Sequence, residues 1–312
     1  MNIFFNLQPP KEELSYGGGL FFVKYISEML IKNKYNVHYE LIPNLDLIFI
    51  IDPRKGKYKQ YGYQDLIQYQ KQNPKSKLIY IVNECDIKRK ISINIEPTII
   101  DCIKNCNHIV YISEWLKNYY QDKYNLDIPF TIINNACDTQ IFKPLKEVNL
   151  NKIKLVTHHW SADYNKGFKI YNKLDKILPQ YPNIKFTFIG NYHKDYKPKN
   201  IIVKKPLSGV KLAEEIQKHN IYLTASLYEP GGIHQLEGMA SGLPVLYSNN
   251  SGGIEEICHQ CGLKFNNLDD LLEKINEIVK NYSEFQNKIN YEFLGYERCC
   301  KQYLELITKY NY

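Results

Sequence analysis

The residues that offer the most chemistry lie between Tyr228 and Val245, in the string Tyr-Glu-Pro-Gly-Gly-Ile-His-Gln-Leu-Glu-Gly-Met-Ala-Ser-Gly-Leu-Pro-Val. The string follows an apolar run, Ile221–Thr224, that reads as a strand. Pro230, Gly231 and Gly232 predict a tight turn, and a short helix is expected to begin near Ile233. Glycines there leave backbone N–H groups accessible, and a helix start collects unpaired donors and partial positive charge. The amides of Gly231, Gly232, Ile233 and His234 would therefore suit a diphosphate. Glu229 stands before the turn and Glu237 within the helix behind it. Carboxylates accept hydrogen bonds from sugar hydroxyls, so one can hold a sugar and the other a ribose, with the diphosphate between them. Gly242-Leu243-Pro244 ends the helix and starts the next strand. On residue types alone, the segment also reads as an ordinary strand–loop–helix with two solvated glutamates.

Other side chains invite separate chemistries. Of eight cysteines, Cys102 and Cys106 are four apart, and Cys258-His259-Gln260-Cys261 brings three candidate metal ligands together. A zinc site needs four ligands in the right geometry. A helix end carrying small buried thiols is the reading we favour. No Asp-x-Asp metal motif is visible. The tight basic clusters are Lys88-Arg89-Lys90 and Lys204-Lys205.

The elements that would position these residues show a repeated rhythm. Short apolar runs at 3–7, 37–42, 47–51, 78–82, 108–112 and 130–133 predict strands. Between them, 20–31, 63–72 and 114–122 carry helical spacing. The rhythm restarts with strands at 153–157, 185–189, 221–224, 245–247 and 263–265, and helices at 167–178 and 210–218. The stretch from Asn134 to Asn151 has no period and contains Pro144, so the junction belongs there. We expect one domain over 1–145, a second over 146–292, and a C-terminal helix segment over 293–312, with one long helical pattern over 293–309, packing toward the first. Apolar strands alternating with helices imply parallel sheets covered on both faces. The expected fold class is α/β, two doubly wound Rossmann-like domains facing across a cleft. In such folds ligands bind at the carboxyl ends of the strands.

Composition narrows the function classes. The chain has 312 residues, 44% hydrophobic and 23% charged, as expected of a folded protein and not of a disordered one. Its net charge of +7 is scattered, whereas nucleic-acid binders concentrate positive charge. A mildly basic surface suits anionic small ligands such as nucleotide diphosphates, or a peripheral membrane contact. No apolar run approaches the roughly 18 residues of a membrane span. The N-terminus reads directly as a strand and shows no signal-peptide pattern, so a reducing cytoplasm without disulfides is expected. The 27 tyrosines make any single tyrosine weak as a signal.

Taken whole, the string resembles the signature of the retaining glycosyltransferases of family 4, which have the GT-B architecture. Their pattern is Glu-Pro-Phe/Gly-Gly, then Glu-Ala-Met-Ala-x-Gly-Leu-Pro-Val, then Gly-Gly and Glu. The chain supplies Glu229-Pro230-Gly231-Gly232, Glu237 to Val245, and Gly252-Gly253-Ile254-Glu255-Glu256. Asn135-Ala136-Cys137-Asp138-Thr139 through Phe142 and Pro144, Val110 to Glu114, and Phe188-Ile189-Gly190 are similar to further family strings in the expected order. The likeness covers nearly the whole chain and is strongest from Asn135 to Glu256.

The resemblance implies roles for further residues. Lys166, before Gly167, matches the lysine that binds the donor diphosphate, where a full charge adds to the helix dipole. Gly190 would lie near the nucleotide base. Gly17-Gly18-Gly19 is similar to the glycine loop that approaches donor phosphate and acceptor. Two departures stand out. The family's Gly-Arg before that lysine is replaced by Thr157-His158-His159-Trp160-Ser161, which leaves His158, His159 or Ser161 as phosphate donors. Neutral imidazole is a weaker anion donor than guanidinium. A family histidine that ends a strand of the first domain is replaced by Asn83, in Asn83-Glu84-Cys85-Asp86. Asn83 could bind a sugar hydroxyl, and Glu84 and Asp86 could orient the acceptor or take its proton. Lys88-Arg89-Lys90 could meet an acidic acceptor or form a solvated face.

The function so implied is metal-independent, retaining transfer of a sugar from a UDP- or GDP-linked donor to an acceptor hydroxyl of a glycan, lipid or protein-linked sugar, with no cofactor. Acceptor attack would occur on the leaving-group face, with the protein supplying positioning and charge stabilisation. A sugar-phosphate phosphorylase, a nucleotide-sugar epimerase, or an inactive nucleotide-sugar-binding module on the same fold are the alternatives.

Overall fold

The structure is a computed structural model that describes residues 1–9, 18–144 and 148–310. The chain forms two compact units. The first comprises Met1–Asp86, Ser92–Asn135 and Tyr296–Tyr312, and the second comprises Ile87–Ile91 and Ala136–Gly295. The long second segment of the second unit begins after Asn135, inside the aperiodic stretch that starts at Asn134. The brief excursion at 87–91 has no counterpart in the sequence reading.

In the first unit the strands are β1 (Asn2–Phe5), β2 (Asn36–His38), β3 (Leu47–Ile50), β4 (Lys77–Val82), β5 (His108–Tyr111) and β6 (Phe130–Ile132). They form one parallel sheet in the order β2-β1-β3-β4-β5-β6. β3 and β5 are buried at every position, as parallel strands covered on both faces must be. The helices are α1 (Gly18–Lys32), α2 (Tyr63–Gln72), α3 (Glu96–Lys104) and α4 (Glu114–Tyr124). Ser113 caps α4 by accepting the Leu116 N–H, and Asn125 closes it in the left-handed conformation. The last helix, Tyr296–Thr308, packs on α1 through Tyr25 stacked on Tyr296 and Phe22 against Tyr303.

The second unit carries β7 (Ile153–His159), α5 (Phe168–Ile177), β8 (Ile184–Gly190), β9 (Ile202–Lys204), α6 (Gly209–Ile216), β10 (Ile221–Thr224), α7 (His234–Ala240), β11 (Val245–Ser248), α8 (Gly253–Cys258), β12 (Gly262–Phe265), α9 (Leu268–Lys280), α10 (Tyr282–Asn287) and α11 (Tyr291–Leu294). Its parallel sheet runs β12-β11-β10-β7-β8-β9. Alternate residues of each strand feed two cores. Val156, Tyr222 and Val245 face α6, α7 and α8, while Leu155, Leu223 and Leu246 face α5 and α9. The fold is α/β, built on two parallel six-stranded sheets.

Several sequence expectations change. The run 293–309 is two helices, because Gly295 is extended (φ −75°, ψ 149°) and pairs with Cys137. The strand expected over 37–42 is only three residues long. Helices α3 and α9 were not anticipated. α9 has a legible cap, Asn267 accepting from Asp269 and Asp270, whereas α3 has no local side-chain cap. Cys258 and Cys261 are buried free thiols pushed upward in pKa by burial, Cys261 to about 12. Among the described residues no group of His, Cys, Asp or Glu could hold a metal ion, and no helix is long and apolar enough to cross a membrane.

Candidate functional site

Two adjacent parallel strands whose connections leave in opposite directions open a crevice at their carboxyl ends. In the second unit these strands are β7 and β10, paired as Leu155–Ile221 and Val156–Tyr222. Residues following β7 must therefore meet residues following β10.

From β7, His158 and His159 close the strand, and a 3-10 turn over Tyr164–Lys166 follows. Asp163 caps that turn, its Oδ1 accepting the Asn165 N–H at 2.9 Å and its carbonyl the Lys166 N–H at 3.0 Å. Ser161 Oγ accepts the Asp163 N–H at 3.2 Å, so it shapes the turn. From β10 the chain passes Thr224 and Tyr228, the latter at φ 52°, to Glu229. The Glu229 backbone is fixed between Ser251 O (3.0 Å) and the Gly253 N–H (2.8 Å). Gly252 sits at φ 75°, and a Cβ there would lie 2.6 Å from the Glu229 carbonyl oxygen, so only glycine lets the two segments pass. Leu227 N–H donates to Asn165 O at 2.9 Å, which ties the two loops together.

This framing brings Lys166 Nζ onto Glu229 Oε2. Both side chains are largely buried, 18% and 10% exposed. Burial alone would raise the Glu229 carboxyl, but the charges of Lys166 and Lys88 outweigh it and hold it at about 2. Glu229 is thus a carboxylate throughout the neutral range. It can accept hydrogen bonds from hydroxyls but has no proton to give.

A second pair lies beside it. His158 Nε2 is 2.6 Å from Glu237 Oε2, and its Nδ1 is 2.9 Å from the Tyr222 hydroxyl. A carboxylate only accepts, so Nε2 carries the proton, and in the neutral ring Nδ1 accepts from Tyr222 O–H. The His158 backbone N–H also donates to the Tyr222 oxygen at 3.2 Å. Tyr222 packs against α7, where a Cβ on Gly238 would fall 2.3 Å from its ring. His159 and His234 meet edge to face near by, ring centroids 4.8 Å apart and planes 68° from parallel. Burial pushes both imidazoles well below their usual pKa, helped by the positive Lys166. They are neutral, so His159 supplies no charge in place of an arginine. Its Nε2 is held by Tyr171 at 3.0 Å and Thr157 at 3.2 Å, and His234 Nε2 lies 3.0 Å from Thr224 Oγ1.

The second unit therefore gathers Lys166, Glu229, Glu237, His158 and His234, with Ser161 in the turn and Gly231, Gly232 and Ile233 leading into α7. Gly190 ends β8 opposite His159, at φ 133°, where a Cβ would meet the His159 carbonyl oxygen at 2.0 Å. Its requirement for glycine thus comes from the β7–β8 pairing. Trp160 is half exposed.

Asn83, Glu84, Asp86, Gly18 and Gly19 belong to the first unit. Asn83 Nδ2 donates to Ile51 O at 3.0 Å, and Glu84 Oε1 accepts the Cys85 N–H at 3.2 Å. Asp86 makes backbone bonds that its sequence neighbourhood did not announce. Its Oδ1 accepts the N–H groups of Ile93 and Ile95, and its Oδ2 that of Glu96. Burial pushes its carboxyl up, and the backbone bonds hold it below the usual range. Asp86 therefore clasps the base of the excursion and stands in for the missing cap of α3. Gly18 opens α1, and a Cβ on Gly19 would make only ordinary 3.5 Å contacts with Ile51 and Leu7. Gly17 lies outside the described residues.

Several contributors were not found in the sequence. Tyr222 and Tyr171 had no signal among 27 tyrosines. Lys88 was visible only as part of a basic cluster. Ser226 Oγ, Gln235 Oε1 and Ser251 Oγ are buried without a hydrogen-bond partner among the described residues, all on the segments around Glu229. Buried polar atoms without a partner are rare in folded proteins; Tyr80 and Tyr196 carry others away from this segment.

Comparison with known proteins finds likeness in sequence and in fold. Residues 145–293 match the family model described as glycosyl transferases group 1. A probable sucrose-phosphate synthase of Thermosipho melanesiensis is 30% identical over 164 residues, which is 51% of this chain. The match spans 38% of that relative's length. Among solved structures, the sucrose-phosphate synthase of Thermosynechococcus elongatus superposes with a TM-score of 0.72 at 13% identity, covering 99% of this chain and 98% of that one. Anabaena HepE in complex with UDP-glucose gives 0.72 at 13% identity, covering 99% and 100%. These likenesses establish a GT-B fold. Over residues 145–293, just under half of its length, the chain is similar to the glycosyl transferases group 1 family.

Proposed function

We propose that the protein transfers a sugar from a nucleoside-diphosphate sugar to an acceptor hydroxyl, with retention and without a resident metal or cofactor. The buried Lys166–Glu229 pair at the β7/β10 crevice carries this reading. In it, Lys166 faces the leaving diphosphate together with the first-turn amides of α7, which have no acceptor within the helix. Glu229, permanently ionised, accepts hydrogen bonds from hydroxyls of the donor sugar. Glu237, oriented by His158, takes the ribose through its second oxygen, since only Oε2 is engaged among the described residues. Because Glu229 has no proton to give, the departing diphosphate is served by lysine charge and amides, and the acceptor proton leaves by way of that diphosphate. Asn83 and Glu84 are kept for acceptor contacts. The eight cysteines are all free, which suits a reducing cytoplasm. HepE holds UDP-glucose, so UDP-linked donors are the first to try.

The test is a panel of UDP-, GDP- and ADP-sugars with glycan, sugar-phosphate and lipid-linked acceptors. Acceptor-dependent release of nucleoside diphosphate is expected with one donor class, and Glu229→Ala should lower it more than a hundredfold while the far-UV spectrum stays native. Full turnover by that variant would remove Glu229 from the reaction. Thermal stabilisation by nucleotides without any turnover would reduce the protein to a binding module.

A further inference from the structure

The chain has no arginine just ahead of Lys166, and neither neutral His159 nor the turn-forming Ser161 supplies such a charge. The structure brings a cation from elsewhere in the chain. Residues Ile87–Ile91 leave the first unit and pack within the second. They dock on the turn that presents Lys166. Lys90 N–H donates to Asp163 Oδ1 at 3.3 Å, the same oxygen that caps the turn, and Lys90 Nζ lies 4.1 Å from the centre of the Tyr164 ring. Lys88 stands two residues before Lys90, so its backbone is within about 7 Å of that anchor, and a lysine side chain spans a similar distance. Consistent with this placement, Lys88 is the second positive charge acting on Glu229, after Lys166. The base of the excursion is held by the three amide bonds to Asp86.

We propose that Lys88 is a second diphosphate-binding residue, delivered by the 87–91 excursion to complete, with Lys166, a two-lysine clamp on the donor's phosphates. This rests on the donor-site reading above. With Lys166 shared between Glu229 and the phosphates, one cation faces two negative groups. A second lysine balances the charge when a diphosphate carrying several negative charges enters beside the Glu229 carboxylate. Asp163 joins the two lysines mechanically, because it holds the turn of one and the backbone near the other. Asp86 acts as a positioning residue through the loop it closes.

The experiment measures the affinity of UDP, GDP and ADP, and of the matching monophosphates, by titration calorimetry. Wild type, Lys88→Gln, Lys88→Arg and the distant Lys185→Gln are compared. One wild-type diphosphate should bind. Lys88→Gln should weaken it tenfold or more, the loss of one charge-assisted contact, while monophosphate affinity falls less than threefold. Lys88→Arg should stay within threefold of wild type, and Lys185→Gln should match it. Equal diphosphate affinity of Lys88→Gln and wild type overturns the proposal and leaves the donor site standing. So does an equal loss for mono- and diphosphate, or a Lys88→Arg variant as weak as the glutamine. A wild-type protein that binds none of the three diphosphates overturns both readings.

Discussion

Lys166→Met isolates the electrostatic core of the site. Glu229 is only 8% exposed, and its carboxyl is held at about 2 against an ordinary 4.5. At about 1.4 kcal/mol per unit, that difference is on the order of 3 kcal/mol of favourable interaction, with little solvent to screen it. Removing one partner of a buried pair typically costs about 3–5 kcal/mol, but Lys88 stays and offsets part of it. A loss of about 2–3 kcal/mol at pH 7 is therefore expected, roughly 5–10 °C in the melting of the second unit. The pH dependence gives the sharper test. In wild type the folded pKa lies below the unfolded one, so this contribution is complete above about pH 5 and fades as pH falls from about 4.5 to 2. Without Lys166, burial acts on the carboxyl with less opposition and the sign reverses. The carboxylate then destabilises at neutral pH, and protonation relieves the strain as pH falls toward 5. Lys166→Met should thus be less stable than Lys166→Met/Glu229→Gln at pH 7, and the gap should close by pH 5. Urea unfolding followed by circular dichroism at pH 7, 6 and 5 measures both. Equal stability of the single and double variants at pH 7, or a gap that widens on acidification, would refute the reasoning.

Three further outcomes follow from the framework around that pair. Gly252→Ala should cost about 2 kcal/mol or more, since its φ is 75° and the new Cβ would meet Glu229 O at 2.6 Å; an unchanged urea midpoint contradicts this. Tyr222→Phe removes the hydroxyl that serves both His158 Nδ1 and the His158 amide. It should cost about 1–2 kcal/mol and weaken nucleotide binding severalfold by calorimetry, and unaltered affinity would separate Tyr222 from Glu237 placement. Asp86→Ala leaves three backbone amides without their acceptor. It should cost the first unit about 2–3 kcal/mol and raise the rate of proteolytic cleavage between residues 87 and 95, and wild-type resistance would argue against the clasp.

What could be read in advance follows from the range of the interactions. Apolar strands and the α9 cap depend on neighbours within a few residues, and the Glu229–Glu237 string announces its turn through Pro230, Gly231 and Gly232. The pairing of Lys166 with Glu229 spans 63 residues and that of His158 with Glu237 spans 79. Family likeness could suggest that the first two belong to one site, but nothing local to His158 reveals that it orients Glu237. The bonds of Asp86 were hidden for the same reason. Its chemistry is that of a base, yet its partners are amides seven to ten residues away, and only the closed loop shows them. The excursion at 87–91 is a tertiary event with no compositional mark beyond three adjacent cations.

The contact of Tyr222 with Gly238 makes two positions answer to one another. The Tyr222 ring fills the space that a methyl on residue 238 would need, a Cβ there lying 2.3 Å from the ring. An alanine at 238 would therefore push the ring away, and with it the hydroxyl that meets His158 Nδ1 at 2.9 Å. Since His158 Nε2 in turn meets Glu237 Oε2 at 2.6 Å, a missing side chain beside Glu237 is what lets that carboxylate be held from across the sheet.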